Sequence, residues 1–315
     1  MRRLLCIVLA LGAVPSFGAR LGGAFLDSGL GGRALGLGGA QTAVAVGPAA
    51  VFYNPAGLAA EQGRGLLATY QPMSLERTSA GLAAALNLRG DLAFGLAWLH
   101  AGVDGLQARS GAGEVIAGSL TDSENAVFFG LGLRIDERLQ IGGGVRILDQ
   151  RIEVPQVGAS TASGRSLDLG LRYRWRPRTT FAVALRNLGD KLSWTVRRPA
   201  SQSSTSEEAL RSAAVVGVFH QLHDNALAAL DVEILDLGAD REVRAHAGAE
   251  LRLSELLTLR GGLHRMAEAD GAGLLTFGVS VRPMRIEALE VHYAYVADDV
   301  DSGSRTVLSV SGRFP

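Results

Sequence analysis

The chain has 315 residues, with 31 basic and 31 acidic side chains, and therefore no formal net charge at pH 7. This neutrality offers no electrostatic attraction for nucleic acid. Although 47% of the residues are hydrophobic, no run of about eighteen apolar residues follows the N-terminus, which argues against a helical membrane protein. The length allows either two soluble domains or one large barrel.

Residues 1–19 have the pattern of a secretory signal peptide. Arg2 and Arg3 form a basic start, residues 4–14 form an apolar stretch, and residues 16–18 supply small side chains at the spacing of a cleavage site. The alternative is a buried N-terminal helix. The only cysteine, Cys6, lies in this segment. The sequence therefore predicts an exported chain without disulfides, thiol chemistry or cysteine-ligated metals.

Residues 20–63 are predicted to form a glycine-rich plug, because glycine at this density lets backbone pack directly on backbone. Asn54 is a helix N-cap and Pro55 a first helical residue, so a short helix is expected over 55–61. The spacing Gly29-x-Gly31-x-x-Ala34 also fits a dinucleotide fingerprint. It follows no predicted strand and lacks a βαβ unit and a correctly spaced acidic residue, so no cofactor is predicted.

From residue 64 onward, the sequence breaks into about fourteen runs of alternating apolar and polar residues, each long enough to cross a membrane at a tilt. The predicted strands are 64–74, 77–89, 91–103, 123–135, 138–152, 163–176, 178–188, 211–223, 225–235, 243–253, 256–265, 272–282, 285–297 and 305–314. Short turns alternate with longer loops along this series. This asymmetry predicts an all-β fold: a transmembrane antiparallel β-barrel over 64–315, with its short turns in the periplasm. A large soluble barrel or sandwich is the alternative.

The alternation assigns a face to each side chain. Within 166–176, the residues expected to face lipid are Leu167, Leu169, Leu171, Tyr173 and Trp175. Aromatic residues expected in the interfacial girdles are Trp98, Tyr173, Trp175 and Trp194. The inward set includes many charges: Asp168, Arg172, Arg174, Asp231, Glu233, Arg244, Glu250, Arg252, Arg260 and Glu290. Confined charges must pair or stay wet, so they indicate a polar path beside the plug or, as we favour, a salt-bridge network that holds it.

No catalytic constellation is visible in the sequence. The six histidines form no His-x-x-x-His pair or metal-type cluster, and no Gly-x-Ser-x-Gly elbow occurs. We therefore predict neither an enzyme nor a metal site. The triplet Gly142-Gly143-Gly144 is a candidate for a weak point in the wall or for a bulge. The Gly-, Ser- and Thr-rich stretches 104–122 and 189–210 are expected to be mobile loops suited to partner contact.

The motif from Leu35 through Gly36, Leu37, Gly38 and Gly39 to Ala40, followed by Asn54-Pro55-Ala56 within 53–59, resembles the N-terminal signature of the PorV/PorQ family, which belongs with the FadL-like outer-membrane proteins. The resemblance continues at 184–189, 290–295 and Arg313-Phe314. It implies fourteen strands, and a hatch folded into the lumen that contains Asn54, Pro55 and Ala56. Phe314 resembles a C-terminal barrel-assembly signal, although Pro315 follows it.

Two functions follow as expectations from this resemblance. The first is passage of small hydrophobic molecules across the outer membrane, by movement of the hatch or through a side opening. The second is an accessory or attachment role in a protein secretion system of the type IX kind, with a protein partner bound to the external loops. A purely structural barrel comes third. In each case the barrel contacts outer-membrane lipids.

Overall fold

The computed structural model describes residues 22–74, 76–109, 115–154, 158–189, 191–197, 203–236, 241–266, 273–284, 286, 288–297 and 304–315, without the side chains of 104–118 and 197. The predicted signal segment lies outside these residues. Strands dominate the described chain, and none of its helices is long and apolar enough to cross a membrane. The strands are β1 Arg64–Pro72, β2 Arg77–Arg89, β3 Leu92–Arg109, β4 Val115–Arg134, β5 Leu139–Val154, β6 Gly158–Arg176, β7 Thr179–Leu188, β8 Lys191–Arg197, β9 Ser204–Ala209, β10 Ala213–His223, β11 Ala226–Leu235, β12 Glu242–Arg252, β13 Leu257–Met266, β14 Leu274–Val281, β15 Leu289–Ala297 and β16 Ser304–Phe314.

Fourteen of these strands close into an antiparallel barrel. Each strand pairs with its neighbour in sequence, except that β7 pairs with β10. The ring closes where β1 pairs with β16, with Arg64 opposite Phe314. The remaining two strands, β8 and β9, form a hairpin that pairs with the first residues of β6. The predicted fourteen-stranded barrel is confirmed.

The outer surface of the barrel carries the predicted apolar side chains. Leu167, Leu275 and Phe277 are each more than half exposed, while Asp168, next to Leu167 in sequence, is buried in the lumen. This pattern follows from the two-residue period of a strand, which sends successive side chains to opposite faces. An exposed apolar belt of this kind is stable when it is surrounded by lipid.

Two predicted loops are largely strand. β3 and β4 continue through much of 104–122, and β8 and β9 occupy most of 189–210. The prediction failed because Gly, Ser and Thr indicate loops by composition, whereas ladder hydrogen bonds join main-chain groups of any residue. Trp194, in β8, is another correction. Its side chain packs against the buried core and donates from Nε1 to Glu208 Oε2 at 2.9 Å, instead of facing lipid.

Residues 22–63 fold inside the barrel, and we call this segment the hatch. It contains helices α1, Gly32–Gly36, and α2, Ala50–Tyr53, and 3-10 helices at Ala24–Ser28, Gly47–Ala49 and Pro55–Ala60. The helix expected at 55–61 is the last of these. The largest buried cluster lies between hatch and wall, where Leu30 and Phe52 of the hatch are grouped with Leu99 and Phe128 of the wall.

We call the end of the barrel with the short turns the turn side, and the opposite end the loop side. The turn side includes the first residue of β1 and the last residue of β16, which pair with each other. The hatch therefore ends at the turn side, where it leads into β1.

Candidate functional site

The hatch lies directly on glycines of the wall. A Cβ added to Gly142 would lie 2.4 Å from the main-chain nitrogen of Ala56, and one added to Gly170 would lie 2.1 Å from Asn54 Oδ1. Gly142 and its two neighbours pair regularly with β4, from Gly142 opposite Gly132 to Gly144 opposite Gly130. The predicted weak point or bulge at this triplet is therefore wrong. Gly142 instead leaves room for the hatch.

The hatch glycines make the complementary contact. Gly36 lies against Gly278, because a Cβ on either residue would lie about 3 Å from the other Cα. Gly38 has a φ of 68°, and a Cβ there would lie 2.4 Å from the carbonyl oxygen of Ala247. Gly39 has a φ of 84° and faces His264. Only glycine combines this backbone geometry with so close an approach.

Asn54 anchors the part of the hatch that leads towards the turn side. Its side chain is fully buried, and its Oδ1 accepts a hydrogen bond from the main-chain nitrogen of Ala56 at 3.1 Å, as expected of an N-cap residue. Its Nδ2 donates to the carbonyl oxygen of Thr42 at 2.9 Å, within the hatch, and to that of Leu171, in β6, at 3.3 Å. One side chain therefore joins two parts of the hatch to the wall.

Polar side chains of the wall satisfy main-chain groups of the hatch. Asp231 Oδ2 accepts from the nitrogens of Gln41 and Thr42, both at 2.8 Å. Arginines bind hatch carbonyl oxygens: Arg172 binds Ala43 at 3.2 Å and Arg134 binds Ala59 at 2.7 Å. Such contacts are needed because unpaired main-chain groups are costly to bury.

The pair Arg146–Asp168 is the most deeply buried ion pair with a hatch contact. Nε of Arg146 lies 2.5 Å from Asp168 Oδ2, and each side chain is 3% exposed. Arg146 Nη2 also donates to the carbonyl oxygen of Phe52 in the hatch at 3.0 Å. Asp168 Oδ1 accepts from the main-chain nitrogen of Asn187, at the end of β7, at 2.9 Å. The pair thus joins β5, β6, β7 and the hatch.

A second ion cluster holds α1. Glu250, in β12, lies 2.9 Å from Arg33 of the hatch and 2.6 Å from Arg260 of β13. Both distances join Nε of the arginine to Glu250 Oε2. Two arginines on one carboxylate stabilise its charged form in the lumen.

Asp27 is the hatch carboxylate in a third cluster, which the sequence analysis missed. Its Oδ2 lies 2.9 Å from Arg244, 3.2 Å from Arg265 and 3.4 Å from Arg211. Arg244 also lies 2.5 Å from Glu242. The three arginines come from different parts of the wall, so one hatch side chain ties these parts together.

Two histidines meet beneath the hatch. Nδ1 of His246, in β12, and Nδ1 of His264, in β13, lie 3.1 Å apart. The carbonyl oxygen of Gly38 lies 3.1 Å from the first and 3.0 Å from the second. His246 Nε2 lies 3.4 Å from Glu233 Oε2. His292 is placed differently, with Nδ1 2.5 Å from Ser280 Oγ and Nε2 2.8 Å from Ser311 Oγ.

Three cavities follow the hatch through the barrel. The outer cavity, on the loop side, has a volume of about 250 Å³ and is lined by Phe25, Met73 and Glu124 among others. The inner cavity, of about 70 Å³, is lined by Asp231, Glu233 and both histidines. The lower cavity, of about 290 Å³, lies at the turn beside Asp224 and Asn225. Asp27 and Arg265 line both the outer and the inner cavity, so their ion pair separates the two.

The wall has a seam where β7 gives way to β8. The partner of β6 changes there: Leu167 pairs with Leu188 of β7, whereas Ser163 pairs with Ser193 of β8. Asn187, at the end of β7, has a φ of 55°. On the outer face, a depression of about 610 Å³ lies beside Gly164, Gly189 and Lys191. The interruption of the ladder therefore lies next to a hollow in the wall.

The residues predicted for the lumenal network do not form one group. Asp168 pairs with Arg146, and Arg244 contacts Asp27, while Glu250 and Arg260 pair with each other. Arg172 donates to the carbonyl oxygen of Ala43 in the hatch and to the side-chain Oε1 of Gln140 in the wall. Arg252 is exposed at the end of β12 and lines the lower cavity, as Arg33 and Glu250 also do. The sequence missed Asp27, Arg146 and Arg265, because inward alternation identifies a lumenal residue but not its partner in the hatch.

Comparisons with known proteins identify the fold. No protein-family model and no curated protein matches the chain. The toluene transporter TbuX of Ralstonia pickettii matches with 17% identity and a TM-score of 0.69, over 91% of this chain and 99% of that one. The toluene transporter TodX of Pseudomonas putida matches with 15% identity and a TM-score of 0.67, over 91% and 98%. A FadL homologue of Pseudomonas aeruginosa matches with 11% identity and a TM-score of 0.65, over the same shares. The chain therefore has the barrel fold of these proteins.

Proposed function

We propose that this chain is an outer-membrane barrel that lets small hydrophobic molecules pass, with the hatch as its gate. The observation that carries the proposal is a lumen filled by a hatch that polar contacts tie to the wall, with a cavity on each side of it. The transport functions of TbuX and TodX, whose fold the chain shares, support it. The apolar outer belt supports a position in the membrane, and we infer from the short turns that the loop side faces the outside.

The outer cavity would receive the molecule. Phe25, Met73 and Leu274 supply apolar surface there, and its volume of about 250 Å³ suits a small molecule. To reach the inner cavity, the molecule must pass the Asp27–Arg265 pair. Since α1 is tied through Arg33 and Glu250, opening would require the first part of the hatch to move away from β12 and β13.

The seam beside β8 offers a second exit, into the membrane. The hatch begins directly behind it: a Cβ on Gly22 would lie 3.2 Å from Leu192 Cδ2, and one on Gly23 would lie 3.6 Å from Leu148 Cδ2. Movement of the hatch would uncover these leucines and leave an apolar passage towards the depression outside. Both routes begin with release of the same segment.

A reversible lock tests the gate. Ser28 of the hatch and Ser79 of β2 are buried with their Oγ atoms 3.3 Å apart, which is close enough for a disulfide between cysteines after a small adjustment. The double variant Ser28→Cys, Ser79→Cys is prepared with Cys6→Ser. Uptake of a labelled aromatic hydrocarbon is measured in outer-membrane vesicles that retain lipopolysaccharide, before and after reduction. The matched controls are the two single-cysteine variants.

We expect uptake to stop in the oxidised double variant and to return on reduction, while both single variants stay active. Equal uptake in the oxidised and reduced states would reject the hatch as the gate. No uptake by any folded form would reject passage of such molecules.

The PorV/PorQ relationship stays a prediction from the motifs around Gly38 and Asn54. The secretion role proposed as its alternative would need a surface for a protein partner. β9 supplies a candidate, because among the described strands it pairs only with β8. Crosslinking from Glu207, in β9, would capture a protein partner if this alternative is correct.

A further inference from the structure

The contact between Gly38, His246 and His264 has the geometry of a metal site. The carbonyl oxygen and the two Nδ1 atoms form a nearly equilateral triangle, with sides of 3.0, 3.1 and 3.1 Å. Ligands about 2.1 Å from a metal and at right angles to each other lie about 3.0 Å apart. The three atoms are therefore spaced as one face of a metal's coordination shell.

The protons available to these three atoms do not give each pair of them a hydrogen bond. The main-chain nitrogen of Arg265 donates a long hydrogen bond to His246 Nδ1 at 3.4 Å, so that atom is an acceptor, and a metal bound to it would replace this hydrogen bond. Gly38 contributes only an acceptor, so the proton on His264 Nδ1 must serve both of its neighbours. His246 Nδ1 and the Gly38 oxygen then face each other as two electron-rich atoms 3.1 Å apart. A cation between the three atoms would attract all of them.

A second observation comes from the inner cavity, which His246, His264 and Gly39 line. It holds about 70 Å³, enough for water molecules that would complete a coordination shell. Asp231 and Glu233 also line it, and Asp231 Oδ1 has no hydrogen-bond partner within the described residues. Asp231 could accept a hydrogen bond from metal-bound water, whereas Glu233 is already paired with Arg186 in the same cavity.

We propose that His246, His264 and the carbonyl oxygen of Gly38 bind one divalent transition-metal ion. Imidazole nitrogen favours Zn²⁺, Ni²⁺, Co²⁺ or Cu²⁺ over Mg²⁺ or Ca²⁺. Among the described residues, no three His, Cys, Asp or Glu side chains can share a metal. The site is complete only with the main-chain oxygen of the hatch. The ion would therefore bind the closed state, and metal at one hundred times its Kd would lower the open population about a hundredfold.

The first test measures binding alone. Purified, refolded, tag-free barrel is titrated with Co²⁺ and followed by its visible absorption, with Ni²⁺ as competitor. We expect one Co²⁺ per chain, lost in His246→Gln and in His264→Gln but kept in His220→Gln, which changes an exposed histidine. Heat-modifiable electrophoretic mobility checks that each variant is folded. No binding by the wild-type chain, or binding that survives both lumenal substitutions, would overturn the proposal.

X-ray absorption of the Co²⁺-loaded wild-type chain keeps the test decisive if the Gln variants do not fold. We expect two imidazole ligands, and a shell without imidazole would reject the site.

The second test uses hydrogen exchange of the hatch amides around Gly38, which should slow about a hundredfold at saturating Ni²⁺. Unchanged exchange would show that the metal does not stabilise the closed state of the hatch. Inhibition of passage by Ni²⁺ rests on the proposed function. If Ni²⁺ binds but does not inhibit passage, the result would count against the hatch as the gate and not against the metal site.

Discussion

Replacing Asp27 by Asn should loosen the hatch without unfolding the barrel. The carboxylate has one good charged hydrogen bond, 2.9 Å from Arg244, whose side chain is 6% exposed. A bond of this kind contributes about 1.5–3 kcal/mol. The contacts to Arg265 and Arg211 are longer, and Asp27 is 29% exposed, so each contributes well under about 1 kcal/mol after screening. Since Asn keeps one oxygen acceptor, we expect a net loss of about 2 kcal/mol.

A loss of about 2 kcal/mol raises the fraction of open hatch roughly thirtyfold if the barrel itself is unaffected. Hydrogen exchange measures this fraction directly, because amides of the hatch exchange through the open state. Peptides covering the Ala24–Ser28 and Gly32–Gly36 helices should exchange about thirty times faster in Asp27→Asn, while peptides from β1 and β16 should keep their rates. Uptake through the vesicles should rise in parallel.

The matched control is Asp224→Asn, which removes an exposed carboxylate 2.8 Å from Arg178 at a short turn. It should leave the exchange of the hatch unchanged, since exposed pairs contribute little. Equal exchange of the hatch in wild type and Asp27→Asn would refute the role of Asp27 as a latch. Faster exchange throughout the barrel would show instead that Asp27 stabilises the wall.

Three further substitutions test a glycine contact of the hatch, a buried ion pair and an exposed ion pair. Gly38→Ala should unseat the hatch at a cost of at least about 2 kcal/mol, because a left-handed backbone and a clash with a wall carbonyl combine; the hatch should become sensitive to protease while the barrel keeps its heat-modifiable mobility. Asp168→Asn should destabilise the barrel by about 3–5 kcal/mol in urea unfolding, because it leaves Arg146 buried without its counter-charge, and Arg146→Met in the same chain should recover most of the loss. Glu207 raises the pKa of Lys191 by a hydrogen bond and by its charge. The pair therefore favours folding only below the pKa that Lys191 has in the folded state. Because the pair is exposed, Lys191→Ala should leave the urea midpoint unchanged at pH 7 and at high salt.

The barrel could be predicted because lipid and lumen impose opposite requirements on neighbouring side chains. Leu167 and Asp168 are adjacent in sequence and face opposite environments, so the two-residue period is directly visible. The lengths of the strands at the loop side are not so constrained. β8 also alternates apolar Leu192, Trp194 and Val196 with polar Ser193 and Thr195, but this short signal lies in a stretch whose composition indicates a loop.

The contacts of the hatch could not be predicted for a different reason. His246 and His264 are both inward residues of neighbouring strands, and the register in which Ala247 lies opposite Leu263 and Gly248 opposite Gly262 places the two histidines opposite each other. The sequence shows that both side chains face inward, but not the offset between the two strands that sets them opposite each other. Asp27 lies far in sequence from Arg244 and Arg265, so its role depends on the path of the hatch through the lumen. Glycine density predicted that the hatch packs closely, but not against which strands.

The two ends of the hatch are attached by different forces, and this difference bears on the gate. Its start, at Gly22 and Gly23, lies against Leu192, Leu148 and Leu210 behind the seam. Its later part also packs in the apolar cluster around Leu30 and Phe52, and charges and hydrogen bonds to main-chain groups hold it in addition. A hydrophobic molecule competes well for apolar contacts but gains nothing from a salt bridge. Cargo would therefore displace Gly22 and Gly23 first, and entry into the inner cavity would then require release of the ion pairs of Asp27 and Arg33.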